Sequence, residues 1–561
     1  MKPTSPLLTG PYLLWLLAAF AAPLGVVALL SVQDSSEFFA PISLTPSAAQ
    51  YAEILGDRFY LRTFFNTLLL GAVVTAVSVV LAYPMALWLT RLPPRFKPLG
   101  FACVLVPLLT NVVVRSLGII LLLGRGGILS RITESLGLGR VDLLFGWFAV
   151  GLALTQVFLP FMVLALYDVL EAQEKRLTEA AAGLGAGPVV TFWRVTFPLS
   201  LAGLRAGMTV VFLLASTAYV SATMVGGRKV LVSGMVVLRE GLEILNFPLA
   251  AAMAMLMLAA SVAVTLGIAF VIGRAMPWLS GRRRGEAWVL PRALVALLEA
   301  LGPWLARILL GVALFLLLFP LMLVAVASVN NSPQASVAQF LGFTWRWYVA
   351  VWENPRYLSD AWVSVQLALA CVAISLAIAL PAAFALGRGR FRGREWLGAA
   401  LMLPLALPGI AIGLGMLRLL QWFTALPPFM GLLAVHVVLV APFMLALLRA
   451  SVQQLDRGLE EAAGGLGAPP TRVFTRVILP QLGPGIGVAC VIGFLLSFGE
   501  VTVTAFLTTA RMQTLPVRIY AEANFSLENT VNAISTGIIA LTMILLWAVN
   551  RLMPLDRVWR R

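Results

Sequence analysis

Runs of about 20 mostly apolar residues recur along the whole chain, separated by shorter polar segments. An α-helix rises about 1.5 Å per residue, so a run of this length can cross the hydrocarbon core of a bilayer. The pattern therefore predicts twelve helical spans. Their approximate ranges are 11–31, 61–90, 99–123, 143–170, 199–224, 249–273, 302–328, 361–387, 397–420, 431–450, 484–508 and 531–550.

Composition and charge support the same class of protein. Of the 561 residues, 60% are hydrophobic and only 11% are charged, whereas a soluble chain needs roughly a quarter charged residues. The net charge of +16 would suit a nucleic-acid partner. However, most lysines and arginines fall in alternate loops, which the positive-inside rule explains when both termini are cytoplasmic. We therefore expect an all-α polytopic membrane protein that contacts lipid and no nucleic acid.

The chain contains an internal repeat. Five residues of the first half recur 297 positions later, namely Tyr51, Tyr60, Pro84, Arg91 and Pro107 as Tyr348, Tyr357, Pro381, Arg388 and Pro404. From Pro160 and its match Pro442 onward the offset is 282, which places an insertion of 15 residues near 125–140. Each repeat has six spans, an even number, so the repeats should be parallel and related by an axis along the membrane normal.

The repeat predicts the domain organisation. We expect two homologous six-helix bundles, one in residues 1–274 and one in 301–561, joined by a basic cytoplasmic linker at 275–300. A polar loop separates the fourth and fifth spans of each bundle, at 171–198 and 451–480.

These loops contain two nearly identical segments, EAAAGLGAGPVVTFWRVTFP at 179–198 and EAAGGLGAPPTRVFTRVILP at 461–480. We call them the duplicated segments. Gly185 and Gly467 are placed to end a short helix with a left-handed residue. Pro188 and Pro470 suit the first turn of a second helix, which we expect the prolines at 198 and 480 to end. An isolated segment of this kind could be an ordinary amphipathic hairpin, but two copies on matching loops favour a shared function.

The duplicated segments resemble the EAA loop of binding-protein-dependent ABC importer permeases, whose pattern is E-A-A-x3-G-x9-I-x-L-P. The resemblance implies a type I permease fold, with two permease domains fused in one chain, similar to the spermidine/putrescine-type permease pair. It also implies that each segment contacts a cytoplasmic ATPase. The residues that the resemblance assigns to ATPase coupling are Glu179, Ala180, Ala181, Gly185, Arg194, Glu461, Ala462, Ala463, Gly467 and Arg476.

The resemblance also implies partners. These are two cytoplasmic ATPase subunits that bind ATP and Mg²⁺, and a periplasmic solute-binding protein, around a permease in the bacterial inner membrane. The close similarity of the duplicated segments favours an ATPase homodimer. The chain itself has no G-x4-G-K-[ST] phosphate-binding loop and no evident catalytic or metal-binding set, so we expect it to hold no cofactor and to be no enzyme.

The sequence leaves the identity of the solute open. The stretch from Ser497 and the surroundings of Arg115 resemble spermidine/putrescine permeases, and related importers for aminoethylphosphonate or ferric iron share the pattern. A secondary transporter with twelve spans is the alternative from another class. Three residues are candidates for the solute pathway, namely Glu500, Ser497 and Arg115. Glu500 is either a pathway carboxylate or a structural acid. For Arg115 we favour a structural role. We expect the single histidine, His436, to be packed and hydrogen-bonded.

Overall fold

The computed structural model describes residues 6–552, except 35–45, 126, 174, 228, 276–291, 333–336, 338, 407–408, 424–426, 510–511 and 526–527. The first half contains α1 (Pro6–Leu30), α2 (Ala49–Gly56), α3 (Arg58–Arg91), α4 (Lys97–Leu109), α5 (Val112–Leu123), α6 (Ile128–Ser135), α7 (Trp147–Glu171), α8 (Lys175–Gly183), α9 (Pro188–Thr217), α10 (Val220–Gly226), α11 (Ser233–Leu238) and α12 (Phe247–Ala275). The second half contains α13 (Arg292–Ser328), α14 (Arg346–Glu353), α15 (Pro355–Arg388), α16 (Arg394–Met402), α17 (Gly409–Trp422), α18 (Pro428–Gln453), α19 (Arg457–Gly465), α20 (Pro470–Phe498), α21 (Thr504–Leu507), α22 (Leu515–Phe525) and α23 (Asn529–Leu552).

The helices match the expected spans closely. Among the described residues, 11 helices are long and apolar enough to cross a membrane, or 12 if the bent pair Arg394–Leu405 and Gly409–Trp422 forms one span. The insertion predicted near 125–140 contains α6, which has no equivalent among the described residues of the second half. The all-α polytopic fold with two six-helix bundles is confirmed.

Individual hydrogen bonds repeat between the halves. The Ser233 N–H donates to Thr67 Oγ1 at 2.8 Å, and at the equivalent positions the Leu515 N–H donates to the Ser364 hydroxyl oxygen, also at 2.8 Å. Each bond joins the long second span of its half to the short helix that follows the fifth span. Since donor and acceptor keep the sequence offsets of 282 and 297, the two bundles are copies of one structure.

The first helix of each half packs against the opposite half. The Tyr12 hydroxyl of α1 donates to the Leu401 carbonyl oxygen, and the Trp15 indole N–H donates to the Ala434 carbonyl oxygen, both at 3.3 Å. Both acceptors belong to the second half. A helix of the first half is therefore packed into the second half.

Two glycines make this exchange of helices possible. A Cβ atom on Gly415 would lie 2.2 Å from the Pro23 carbonyl oxygen of α1, and one on Gly118 would lie 2.3 Å from the Pro320 carbonyl oxygen of α13. No side chain fits at such distances, so only glycine allows these backbones to touch. The two crossings are equivalent positions of the repeat, and sequence analysis did not identify either one.

Four predicted spans are broken, which corrects the expectation of continuous helices. The spans predicted at 99–123 and 397–420 break between α4 and α5 and between α16 and α17, the second with a bend of 83°. The spans predicted at 199–224 and 484–508 break between α9 and α10 and between α20 and α21. Hydropathy cannot detect such breaks because the broken segments stay apolar, and backbone leaves helical geometry at membrane depth only where protein or a cavity satisfies it.

Two further expectations need correction. Pro198 and Pro480 do not end the second helix of the duplicated segments, because α9 and α20 continue through them. A π-helical turn precedes each proline, at Phe192–Thr196 and Phe474–Ile478, where the widened helix accommodates the missing N–H. The linker predicted at 275–300 lies largely outside the described residues, and its last part is already helical because α13 begins at Arg292.

Candidate functional site

The duplicated segments form the same structure twice. In each, a short helix (α8 or α19) is followed two residues later by a glycine with φ of +80°, Gly185 or Gly467, and a second helix starts at Pro188 or Pro470. The turns carry matching backbone bonds, from the Ala186 N–H to the Ala181 carbonyl oxygen and from the Ala468 N–H to the Ala463 carbonyl oxygen. The left-handed glycines predicted from the sequence are confirmed.

All ten residues assigned to ATPase coupling lie on accessible surface. Eight of them are exposed, and Ala181 and Ala463 are half-buried. The exposed ones are Glu179, Ala180, Gly185, Arg194, Glu461, Ala462, Gly467 and Arg476. Because the repeat is parallel, both segments occupy the same face of the protein. Because their residues are accessible, the duplicated segments can contact another protein.

The tip of each segment carries a leucine that sequence analysis overlooked. Leu184 and Leu466, directly before the left-handed glycines, are each 89% exposed. A leucine this exposed is unremarkable alone, but equal exposure at equivalent positions marks a surface suited to binding. The signal was present in the sequence, since both copies keep the leucine within Gly-Leu-Gly.

Partly buried ion pairs lie beside the duplicated segments. The Lys97 ammonium contacts the Glu171 carboxylate at 2.7 Å, at the end of the helix preceding the first segment. In the second half, Arg388 pairs with Glu460 inside α19 and donates to the carbonyl oxygen of Leu455. The first pair joins the end of α7, the helix that precedes α8, to α4, and the second joins α19 to the second span of its half.

A second candidate site lies between the halves, where the four helix breaks meet. A cavity of about 540 Å³ is lined by residues next to every break, including Asn111, Tyr219, Pro404 and Glu500. Its wall is mostly apolar with a few polar groups. A mostly apolar cavity with a few convergent polar groups is typical of a small-solute site.

The three predicted pathway residues have different positions. Glu500 and Arg115 both line this cavity. Ser497 is buried behind the wall, where its hydroxyl lies 2.8 Å from His436 Nδ1. The buried Arg115 guanidinium donates to the Val157 carbonyl oxygen at 3.2 Å. The packed, hydrogen-bonded role predicted for His436 is confirmed.

Glu500 combines the two roles that the sequence left open. It lies in the break between α20 and α21 rather than inside a helix. Its carboxylate accepts from the backbone N–H groups of Val503 and Thr504, at 3.0 and 2.9 Å, and from the Thr504 hydroxyl at 2.6 Å. The side chain thus caps a helix start, as acidic residues often do, and also faces the cavity.

Two side chains of the first half hold the segment around Glu500. The Asn111 amide donates to the Gly499 carbonyl oxygen at 3.0 Å, and the Tyr219 hydroxyl donates to the Thr502 carbonyl oxygen at 3.1 Å. Both acceptors are carbonyls released by the break in the second half. Neither donor stands out in the sequence, although each is a polar residue within an apolar run.

Comparisons with known proteins agree with this architecture. The family described as binding-protein-dependent transport system inner membrane component matches residues 375–555. The chain is 32% identical over 243 residues to the spermidine/putrescine transport system permease protein PotB of Haemophilus influenzae, covering 42% of this chain and 83% of that protein. It is 27% identical over 232 residues to the corresponding permease protein PotC of Escherichia coli strain K12, covering 41% of this chain and 87% of that protein.

The chain belongs to the family of binding-protein-dependent transport system inner membrane components, and it is a multi-pass permease of the ABC importer class. Since each of these relatives matches about two fifths of the chain, a fused permease pair accounts for the length. Among solved structures, a bacterial alginate ABC transporter in complex with alginate pentasaccharide-bound periplasmic protein matches 47% of this chain and 92% of that chain, with 15% identity and a TM-score of 0.41.

Proposed function

We propose that this chain forms the complete transmembrane pathway of an ATP-driven importer for polyamines. The two permease domains, at 1–274 and 301–561, come from one polypeptide, and two ATPase subunits and a periplasmic binding protein complete the complex. The observation that carries the coupling role is the pair of duplicated segments, exposed with equal geometry on one face.

The duplicated segments transmit ATPase movement to the bundles. Each exposed tip would bind one ATPase subunit, with Glu179 or Glu461 on the first helix and Leu184 or Leu466 at the turn. Because the two surfaces are equivalent residue by residue, one kind of ATPase subunit can bind both. Closure of the ATPase dimer would then move the halves relative to each other, which is a rigid-body transition between two states. Finding two different ATPase polypeptides in the complex would contradict the homodimer.

The proposed solute class rests on two features. The relatives PotB and PotC are named for spermidine and putrescine transport, and the cavity between the halves holds the Glu500 carboxylate. A carboxylate in a mostly apolar cavity favours a cationic solute. The binding protein would select the solute first, and Glu500 would contact it during passage.

The orientation follows from charge and from coupling. Both termini and both duplicated segments would face the cytoplasm of a bacterial inner membrane, where the ATPases and ATP with Mg²⁺ are found. The insertion that contains α6 would then face the periplasm and the binding protein.

Reconstitution tests the coupling role. The complex of the chain, its ATPase and its binding protein would be placed in proteoliposomes and assayed for ATP-dependent uptake of labelled spermidine. The double variant Glu179→Lys with Glu461→Lys should abolish uptake and ATPase co-purification while the chain stays folded. A matched control reverses two exposed acids on α2 and α14, Glu53→Lys with Glu353→Lys, and should retain uptake. Uptake that persists in the first double variant would show that the segments do not bind the ATPase.

A further inference from the structure

A continuous chain of hydrogen bonds runs from the buried interior of the second half to the Glu500 carboxylate. The Ser497 hydroxyl lies 2.8 Å from His436 Nδ1, and His436 Nε2 lies 2.9 Å from Thr504 Oγ1. The Thr504 hydroxyl then donates to Glu500 Oε2 at 2.6 Å. Ser497, His436 and Thr504 are all buried, with at most 3% of each residue exposed.

The chemistry of the end group sets the direction of every bond in this chain. An ionised carboxylate only accepts, so the Thr504 hydroxyl hydrogen is used on Glu500. Thr504 Oγ1 must then accept from the ring N–H at Nε2 of His436. In a neutral imidazole the other nitrogen, Nδ1, is an acceptor, and the Ser497 hydroxyl donates to it. All three donors point toward Glu500.

The first half provides an internal control for what this chain does. The residues equivalent to His436, Ser497, Glu500 and Thr504 are the apolar Leu154, Ala215, Ala218 and Ala222. The equivalent span nevertheless breaks at the same place, between α9 and α10. The hydrogen-bond chain is therefore not required to break the helix. It occurs only in the half that places a carboxylate in the cavity.

The geometry leaves part of the carboxylate available. Glu500 Oε2 accepts from both the N–H and the hydroxyl of Thr504, and the Val503 N–H is shared between Oε1 at 3.0 Å and Oε2 at 3.2 Å. Each carboxylate oxygen has about two acceptor sites, so Oε1 retains capacity for a further donor. An ammonium group of a solute in the cavity is a donor of the right charge.

We propose that His436, acting through Thr504, is a positioning residue that orients the Glu500 carboxylate for contact with a cationic solute. This inference rests on the proposed import of polyamines. The hydrogen bonds of the three buried residues fix one geometry of the carboxylate, because its rotation would leave a buried polar group unpaired. A cation bound at Glu500 would in turn change the hydrogen bond of Thr504 and, through it, the electronic environment of the imidazole ring.

The single histidine of the chain makes a direct spectroscopic test possible. Protein labelled with ¹⁵N-histidine in nanodiscs should show one neutral imidazole with the proton on Nε2. Addition of spermidine should shift the ring ¹⁵N signals in the wild type and leave them unchanged in Thr504→Ala, which introduces the residue found at the equivalent position of the first half. A wild-type proton on Nδ1, or signals that ignore spermidine, would overturn the proposal.

Uptake by the reconstituted complex gives the second readout. His436→Leu, again the first-half residue, should lower spermidine uptake about tenfold, the scale expected for losing a hydrogen bond to a charged group. His436→Gln keeps one donor and one acceptor and should restore most of the uptake. Thr542→Val on α23, a buried hydroxyl bonded only within its own helix, is the control and should transport normally.

The outcomes separate the two proposals. Wild-type uptake of a neutral or anionic solute, but not of spermidine, would overturn the role of His436 and the polyamine assignment while leaving the importer intact. Equal loss in His436→Leu and His436→Gln would show that the ring only fills space. Absence of any ATP-dependent uptake by the wild-type complex would reject the proposed function itself. The tautomer measurement would still decide whether the hydrogen-bond chain exists.

Discussion

At the scale of single residues, the two halves share a polar contact near the start of their second span. The Tyr60 hydroxyl donates to Glu240 at 3.4 Å, and at the equivalent positions the Tyr357 hydroxyl donates to Glu522 at 2.8 Å. Burial raises the pKa of both carboxyl groups, an effect that the tyrosine hydrogen bond only partly offsets. These acids follow the fifth span of each half and lie outside the predicted membrane-crossing helices.

The raised pKa values predict how stability depends on pH. A carboxyl group whose pKa is raised by folding stabilises the protein below its unfolded pKa, and this stabilisation is lost as pH rises through the folded value. Glu522→Gln keeps an acceptor for Tyr357 and stays neutral at every pH. We expect this variant to lose less thermal stability than the wild type between about pH 4.5 and pH 7.5, with a difference on the order of 1–2 °C at the upper end.

Thermal unfolding in detergent at several pH values would measure the effect. Glu353→Gln, at an exposed acid of α14, is the control and should follow the wild-type curve. A Glu522→Gln curve parallel to that of the wild type would show that burial does not penalise this carboxylate.

At the scale of elements, the four helix breaks separate what hydropathy can predict from what it cannot. The apolar runs correctly placed the spans, because the transfer of apolar side chains into lipid depends on composition. The breaks depend on partners for the freed backbone groups, and at the break between α20 and α21 two of those partners come from the other half of the chain. Asn111 and Tyr219 supply two of them, to Gly499 and Thr502.

These cross-half contacts lead to a prediction about movement. If transport requires the halves to part, a covalent bond between Asn111 and Gly499 should stop it. A Cβ atom on Gly499 would lie 3.8 Å from the Asn111 Cα, so the two backbones are close enough for a disulfide to join these positions. In a background where Cys103, Cys371 and Cys490 are replaced by alanine, Asn111→Cys with Gly499→Cys should lose spermidine uptake on oxidation and regain it on reduction.

The two single cysteine variants serve as controls, since neither can form the bond. Spermidine uptake by either single variant should change little on oxidation or reduction. Full uptake by the oxidised double variant, with the disulfide verified by mass spectrometry, would mean that these two breaks stay together during transport.

At the scale of the whole molecule, the exchanged first helices predict that the halves depend on each other. α1 donates hydrogen bonds to the second half, and α13 crosses the first half at Gly118. Two fragments, cut inside the predicted linker before Arg292 and co-expressed, should assemble and transport. Either fragment expressed alone should be unstable, because its exchanged helix and the surface that receives the other one lack their partners.

Co-purification of the fragments through a tag on one of them is the measurement. Gly118→Val should reduce it strongly, since the new side chain would overlap the Pro320 carbonyl oxygen. Gly311→Val, at a position of α13 with open space around it, is the matched control. A second fragment that is stable and monodisperse alone would refute mutual dependence.

The sequence by itself determined the class of protein, the approximate positions of the spans, the repeat and the left-handed turns of the duplicated segments. These properties follow from local composition and spacing, since a left-handed turn needs glycine and an apolar run of 20 residues needs lipid. Only the tertiary structure decided the helix exchange, the cavity at the four breaks and the neighbours of Glu500. Those features join residues such as Asn111 and Gly499, nearly 400 positions apart, and no local pattern records which distant donor will meet a freed carbonyl.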